Sequence, residues 1–529
     1  MLKHIYHEKK RRKKMKVRNK EVMALLATVC LAAGSLAGCG NTSGEAGQNS
    51  TPQSKPSVSS EQQADSNTGK DENVTLRIFM RDQATPDDEK VEDYINSLPQ
   101  VQDLNVTIDL VKQAGGAGEH NEKVPLLLAT DEQMDIGWDG SGDFVNRIVQ
   151  GAYLDISEYL KADPDFYNVI PEALWNGMKY EDGIYGVPTY KEIAEQWAIS
   201  TDSYILEKYN IDPSTITDFQ DLEPVLEAIK QEGDRTTLTL KADQYWYLLK
   251  LALLDDYDFI NDYRYAVVNH EEGKTIVSPF GTEEFEELVR TMYSWNQKGY
   301  VHPDALTIVD DKEFNEGGLK QSERITSYTP FSENNWAETY GWEDTTVMPL
   351  TGAPKVTNGS ARGSVFGIYS KCQNPDKAYE FLKLWNTDPE VKNAMYLGIP
   401  DVHYTVVDGK AQKVAEKDKL FSGQNWTTGN NLISMLEVND PDDKWEQFEA
   451  WNKTAIEAKD LGICLNTDNI ADKQASVSAV MAEYLPPLVL GFVEPEAGIA
   501  QLNEQMKAAG LDEVIAEIQT QYDAFLATK

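Results

Sequence analysis

Histidine and cysteine are scarce in this chain of 529 residues, which holds six of the first and four of the second. Past residue 39 the histidines are His120, His270, His302 and His403, each alone, so no H-E-x-x-H helix and no Cys/His metal knuckle is present. Cys372 and Cys464 are the cysteines of the same region and stand far apart, which excludes a disulfide-dense scaffold and favours two separate thiols in a chain this large. There is no phosphate-binding Walker loop. Gly359-Ser360-Ala361-Arg362-Gly363 looks like a nucleophile elbow but carries Ala361 where the serine belongs. Positive charge is also short: 49 Lys and Arg against 87 Asp and Glu leave a net charge of −38, a field that repels nucleic acid. Asp440, Asp442 and Asp443 lack the glycine and terminal glutamate of a calcium loop and read as a solvated turn; no metal and no cofactor is expected.

Long apolar runs are missing too, with one short exception, Val22 to Ala37. Behind a basic leader, about sixteen apolar and small residues have the pattern of a cleaved secretory signal and are too few to span a bilayer comfortably. The run ends in Leu36-Ala37-Gly38-Cys39, which resembles the lipobox of bacterial lipoproteins. That resemblance implies cleavage before Cys39 and lipid attachment on its thiol, making residues 1–38 a signal peptide. The leader holds ten Lys or Arg against two Glu, so losing its eight net positive charges leaves the secreted part near −46. Residues 39–73 are rich in Ser, Gly, Gln and Asn and cannot bury enough to fold; as a coil such a tether spans roughly 30 Å.

From Val74 the pattern turns globular. Val74, Leu76, Ile78 and Met80 alternate as a strand does, Pro86 to Leu98 sets Val91, Tyr94, Ile95 and Leu98 on one helical face, and Asn105 to Leu110 alternates again. A helical run at Val124 to Ala129 and a strand from Met134 to Trp138 follow, an order that marks a parallel sheet covered by helices. A second unit begins near Val187-Pro188. It has strands at Gln196 to Ser200 and Thr236 to Leu240, and a capping box of Thr217 and Gln220 before a helix. Phe285, Leu288, Val289, Met292 and Trp295 form a core stripe that stops at Gly299, and helices are expected to start at Asn374-Pro375 and Asp388-Pro389 and to fill the tail.

What the chain has in quantity is aromatic residues beside polar ones in loop positions. Trp138 and Asp139 follow a strand end, where α/β sheets place ligands. Tyr190 and Glu192 follow Pro188, Trp246 opens a helix, and Trp336 and Trp426 lie in Asn-rich loops. A flat ring covers the C–H face of a sugar while Asp, Asn, Gln and Arg answer its hydroxyls, so the mixture suits a saccharide. Arg362 is the arginine that a carboxylated sugar would need.

With these residues, the chain resembles the extracellular solute-binding lipoproteins of ABC transporters, in the maltose-binding-like class. The matching stretches are Gly151-Ala152-Tyr153-Leu154-Asp155, Gly183-Ile184-Tyr185-Gly186-Val187-Pro188 and Asn374-Pro375-Asp376-Lys377-Ala378 with Phe381-Leu382. Leu397-Gly398-Ile399 to His403-Tyr404, Tyr484 to Pro487, Gly491 to Glu496 and Lys507 to Asp512 are similar to the LplA-like subgroup of Gram-positive lipoproteins, although Pro400-Asp401-Val402 replaces the subgroup's second glycine. The resemblance implies a two-lobe α/β fold of the periplasmic-binding-protein type (type II) with a helix-rich C-terminal part. Lobe 1 is expected at about 74–187 and 326–368, and lobe 2 at about 188–325 and 369–529. It implies a monomer held at the outer face of the cell membrane, binding a saccharide in an interlobe cleft and delivering it to ABC permease subunits, without catalysis. Trp138, Asp139, Tyr190, Glu192, Trp246, Trp336, Arg362 and Trp426 are the expected cleft residues. A glycan-degrading enzyme and an adhesion or signalling lipoprotein are the competing readings.

Overall fold

The apolar alternation that opens the globular region becomes strand β1, Val74–Gln83, with Leu76, Ile78 and Met80 buried. The structure, a computed structural model, describes residues 72–130, 132–331, 336, 337 and 339–529, so the leader, Cys39 and the tether to residue 71 lie outside the described residues. After β1, helix α1 (Asp88–Ser97) buries Val91 and Ile95, and β2 (Val106–Gln113) returns parallel to β1. Helix α2 (Gly116–Leu128), β3 (Ile136–Asp139, parallel to β1 on its other side) and α3 (Ser141–Val149) complete the expected alternation. Short strand β4 (Val187–Pro188) closes the first passage.

The chain then builds a second layer system: β5 (Trp197–Asp202), α4 (Glu223–Glu232), α5 (Tyr245–Leu253), α6 (Glu283–Gln297), β6 (Glu323–Ser327) and β7 (Thr345–Pro349). Strands β6 and β7 flank β5, both antiparallel to it. In α6 the five stripe residues are buried, and Gly299 has the left-handed φ of 73° that ends the helix where a Cβ would be strained. The N-terminal box before α4 sits one residue later than expected, on Asp218 and Asp221, because the Asp221 carboxylate accepts from the amides of both Thr217 and Asp218. The strand expected at Thr236 to Leu240 is reduced to Arg235–Thr236. The amide and hydroxyl of Thr239 are instead taken by the buried Glu323 carboxylate, each at 2.6 Å.

After β7 the chain returns to the first sheet with β8 (Val365–Ile368), antiparallel to β3 and to β4, so the sheet order is β2-β1-β3-β8-β4 and the sheet is mixed and not wholly parallel. Helices α7 (Pro375–Thr387) and α8 (Pro389–Leu397) start at the two Pro positions. Asp388 caps α8 through the amides of Glu390 and Val391, while the Asn374 side chain makes no cap bond. Helix α9 (Lys444–Asn452) follows, and α10 (Ala471–Val489), α11 (Pro495–Ala508) and α12 (Leu511–Leu526) form the helical tail.

Two large hydrophobic cores divide the described residues along other lines than the expected lobes. One gathers Leu76 to Ala194 with Val356 to Phe421 and Leu461, and the other gathers Trp197 to Leu350 with Ile463 to Tyr522. Residues 326–350 therefore belong with the second core, because β6 and β7 need β5 as their partner. Helices α7 and α8 belong with the first, where Phe381, Leu382 and Trp385 cover the sheet. The chain passes between cores three times, near 195, 353 and 462.

Within the first sheet, Gly137 and Gly367 face each other across β3 and β8. A Cβ on Gly137 would fall 2.1 Å from the Tyr369 hydroxyl, and one on Gly367 2.4 Å from the Tyr153 ring. The two tyrosines stack at 5.3 Å over this bare backbone. Cys372 and Cys464 are separate free thiols.

Candidate functional site

The carboxyl ends of β1 and β3 carry Arg81 and Trp138, the position where open α/β sheets present ligand groups. Trp138 is nearly buried, donates its Nε1–H to Ser364 Oγ at 2.8 Å and lies edge-on to His120. Trp426, in the loop before α9 and 39% exposed, meets Trp138 at 6.3 Å with the rings perpendicular. The Arg81 guanidinium sits in the corner of the two indoles, its carbon 5.1 Å from one ring and 4.9 Å from the other. Such cation–π contacts hold a long side chain in place without using its hydrogen-bond donors.

The Trp426 loop is held from below by Lys392 on α8. This amine is fully buried and donates to Asn425 Oδ1 at 2.8 Å, Thr428 Oγ1 at 2.8 Å, Asn431 Oδ1 at 3.1 Å and the Thr428 carbonyl. Burial drives its pKa well below the ordinary lysine value. A cavity of about 540 Å³ opens beside the loop, where Trp426 and Glu192 are joined by Asn425, Asn431, Trp445 and Phe448. Glu192 is paired with Lys191 at its edge.

The second core contributes its own aromatic face. Trp246 packs edge-on against Trp197 at 5.4 Å and Tyr247 at 4.5 Å, with the Arg264 guanidinium 5.1 Å from its ring. Trp336 stacks on Tyr340 at 5.9 Å and lies under Arg324, which also bonds Asp311 at 3.0 Å. The Trp336 Nε1 is buried with no partner among the described residues. Phe331, beyond β6, stacks on Phe448 of α9, so the segment after a second-core strand touches the rim of the first-core cavity. A depression of about 750 Å³ around Leu127, Met134, Gly151 and Ser370 lies at the opposite end of β3 and β8 and is lined mainly by apolar and backbone atoms.

Residues 460–527 match the family model of a domain of unknown function, DUF3502. The chain is 25% identical to a carbohydrate ABC transporter substrate-binding protein of Streptococcus pneumoniae serotype 4, over 97% of this chain and all of that one. Its structure is similar to that of an N-glycan transport solute binding protein, NgtS, from Streptococcus pneumoniae, with a TM-score of 0.75 and 23% identity over 86% of this chain and 99% of the other. The same NgtS protein in complex with Man1GlcNAc gives a TM-score of 0.66 over 86% and 100% of the two chains at 23% identity. The fold is that of a solute-binding protein.

In this solute-binding fold the expected residues separate into two groups. Trp138, Glu192 and Trp426 come together on the first core with Arg81, and Trp246 and Trp336 each lie against an arginine on the second. Tyr190 is buried in the first core, where its carbonyl accepts from the Asn431 amide, so it supports the Trp426 loop from behind. Asp139 and Arg362 are taken up by partners inside the fold. Asp139 is 1% exposed and spends its carboxylate on Arg147 at 2.6 Å and the Tyr153 hydroxyl at 2.6 Å. Arg362 is equally buried and donates to the Gly177 carbonyl, Asn261 and Cys464 beside the third crossing. Neither has a donor or acceptor turned to a ligand. The acidic turn is tied down by lysines, Asp440 to Lys444 and Asp442 to Lys410. Sequence reasoning missed Arg81, although the strand-end rule that selected Trp138 selects it equally. It also missed Lys392, whose helical position gives no sign that its amine turns inward.

Proposed function

We propose that the protein is a lipid-anchored, extracellular substrate-binding component of an ABC transporter that captures an oligosaccharide between its two lobes and delivers it to a membrane permease. The observation that carries this reading is the pair of aromatic faces, Trp138 with Trp426 on one core and Trp246 with Trp336 on the other, each edged by arginine, on bodies joined by three narrow crossings. Flat rings and polar edges match the two surfaces of a sugar, and narrow crossings permit hinge closure on a ligand. Similarity to the carbohydrate-binding pneumococcal relative and to NgtS supports the same class, as does their naming as binding and not catalytic proteins. No helix among the described residues is long and apolar enough to cross a membrane. The resemblance of Leu36-Ala37-Gly38-Cys39 to a lipobox supports an anchor on Cys39, in an LplA-like lipoprotein acting as a monomer.

Calorimetry across mono- and oligosaccharides tests the ligand class, and small-angle scattering tests closure: a bound glycan is expected to compact the particle. Binding of peptides or metal ions alone, or turnover of a bound glycan, would overturn the reading. Replacing Cys39 with Ala should leave binding in solution unchanged and reduce uptake by cells, because the anchor keeps captured ligand close to its permease.

A further inference from the structure

Of the eight described arginines, seven donate to a partner within the fold: Arg77, Arg147, Arg235, Arg290 and Arg324 to carboxylates, Arg264 to the Tyr245 hydroxyl and Arg362 to the Gly177 carbonyl. Arg81 donates to none of the described residues. Its Nε is buried without a hydrogen-bond partner, and its guanidinium is fixed between Trp138 and Trp426 at the edge of the candidate site. A guanidinium held by aromatic rings alone keeps its forked donors and its charge unspent.

The groups behind it do not supply the missing anion. Lys112, Lys392 and Lys417 act with Arg81 or with one another around the buried Asp82. Asp88 is taken by Lys112 at 2.8 Å, and Asp418 lies 3.4 Å from Lys417. That leaves Asp82, whose Oδ2 accepts from the Gln424 amide at 3.3 Å and whose carboxyl is pushed up by burial. Among the described residues these carboxylates are thus met by lysines or a backbone amide and not by the Arg81 fork, in a protein whose overall charge is strongly negative. The distant negative charge does not reach the pocket, since physiological salt screens beyond about 8 Å.

We propose that the captured glycan is acidic, and that a uronic- or sialic-type carboxylate on it seats on Arg81 in the corner formed by Trp138 and Trp426. The assignment rests on the glycan-binding reading and deepens it. A carboxylate accepts two parallel N–H bonds from the fork and neutralises its charge, whereas a hydroxyl leaves the charge buried against two indoles.

The test is a titration of the purified protein against an array of neutral and acidic oligosaccharides, each acidic one paired with its carboxyl-reduced form, at low and high salt. The expected result is binding of acidic glycans at least tenfold tighter than their reduced forms, weakened by salt. Arg81→Gln should abolish that preference, bringing the affinities for each acidic glycan and its reduced form together, and Arg81→Lys, which keeps the charge but not the fork, should retain part of it. Equal binding of the paired forms, binding of neutral glycans alone, or an unchanged preference in Arg81→Gln overturns the assignment and leaves the glycan reading standing. Absence of binding to every glycan overturns both.

Discussion

Glu195 and Lys355 exchange two backbone hydrogen bonds, of 2.8 and 2.9 Å, at the point where the first and second crossings pass side by side between the cores. Their side chains run into the second core. Glu195 meets Lys250 at 3.0 Å, and Lys355 meets Asp258 at 2.8 Å with both groups almost fully buried. Asp258 also accepts from His270 and from the Lys459 amide near the third crossing, so one buried carboxylate ties two crossings to the core beneath them.

Breaking that pair from one side should be expensive. Lys355→Met leaves Asp258 buried without its cation and is expected to lower stability by about 3–5 kcal/mol. Urea unfolding checks it. A loss below one kcal/mol would show that Asp258 finds compensation in His270.

The hinge should also make stability depend on pH. Asp460, buried beside the third crossing, has its carboxyl pushed up to about 7, first by desolvation and then by Asp262 and Asp258. A carboxyl whose folded pKa lies above its unfolded one binds its proton more tightly when folded, so its contribution is complete below about pH 4 and is lost as pH rises toward 7 and beyond. Asp460→Asn keeps an acceptor for the Asn261 amide, and is expected to flatten the fall in Tm between pH 5 and 8. A Tm profile identical to wild type would refute this account of the crossing.

Trp426 and Trp138 should behave differently although they touch. Trp426→Ala removes an exposed ring and is expected to weaken glycan binding by about 1–3 kcal/mol with little change in Tm. Trp138→Ala empties a buried site and removes one of the two hydrogen bonds of Ser364 Oγ, the other being with Thr189, so stability should fall by about 3–5 kcal/mol together with affinity. Thermal melts beside calorimetry separate the two.

Gly137→Ala is expected to destabilise by about 1–3 kcal/mol, because its Cβ enters the Tyr369 ring. Tyr369→Phe removes a buried hydroxyl that has no hydrogen-bond partner among the described residues and should be close to neutral alone. Combined, the two should recover only part of the loss, since the Cβ also lies 2.6 Å from the ring carbon bearing that hydroxyl. Full additivity in a double-mutant cycle would show that the tyrosine moves aside.

Much of this architecture was legible in the sequence. The alternation of β1 and the stripe of α6 fix which side faces inward, and both were read correctly because each pattern is local. The partition between cores was not legible, since it depends on β6 and β7 choosing β5, a pairing across more than a hundred residues that no local period records. At the candidate site, the polar neighbours of Trp426 and Trp138 are legible in the sequence, but their contact with each other and with Arg81 is not. For Asp139 and Arg362 the sequence shows the charge but not the buried partner, Arg147 for one and the Gly177 carbonyl for the other, that the fold brings to it.

The three crossings also govern the order in which the molecule can be made. Neither core is continuous: the first needs residues up to Leu461, and the second needs Tyr522, seven residues from the end. A chain emerging from the ribosome therefore lays down much of the second core before the first is complete, so strict N-terminal-first folding, the usual route for multidomain chains, is closed to it. Two half-built cores coexist along the growing chain, and no single cut releases either of them as a continuous fragment.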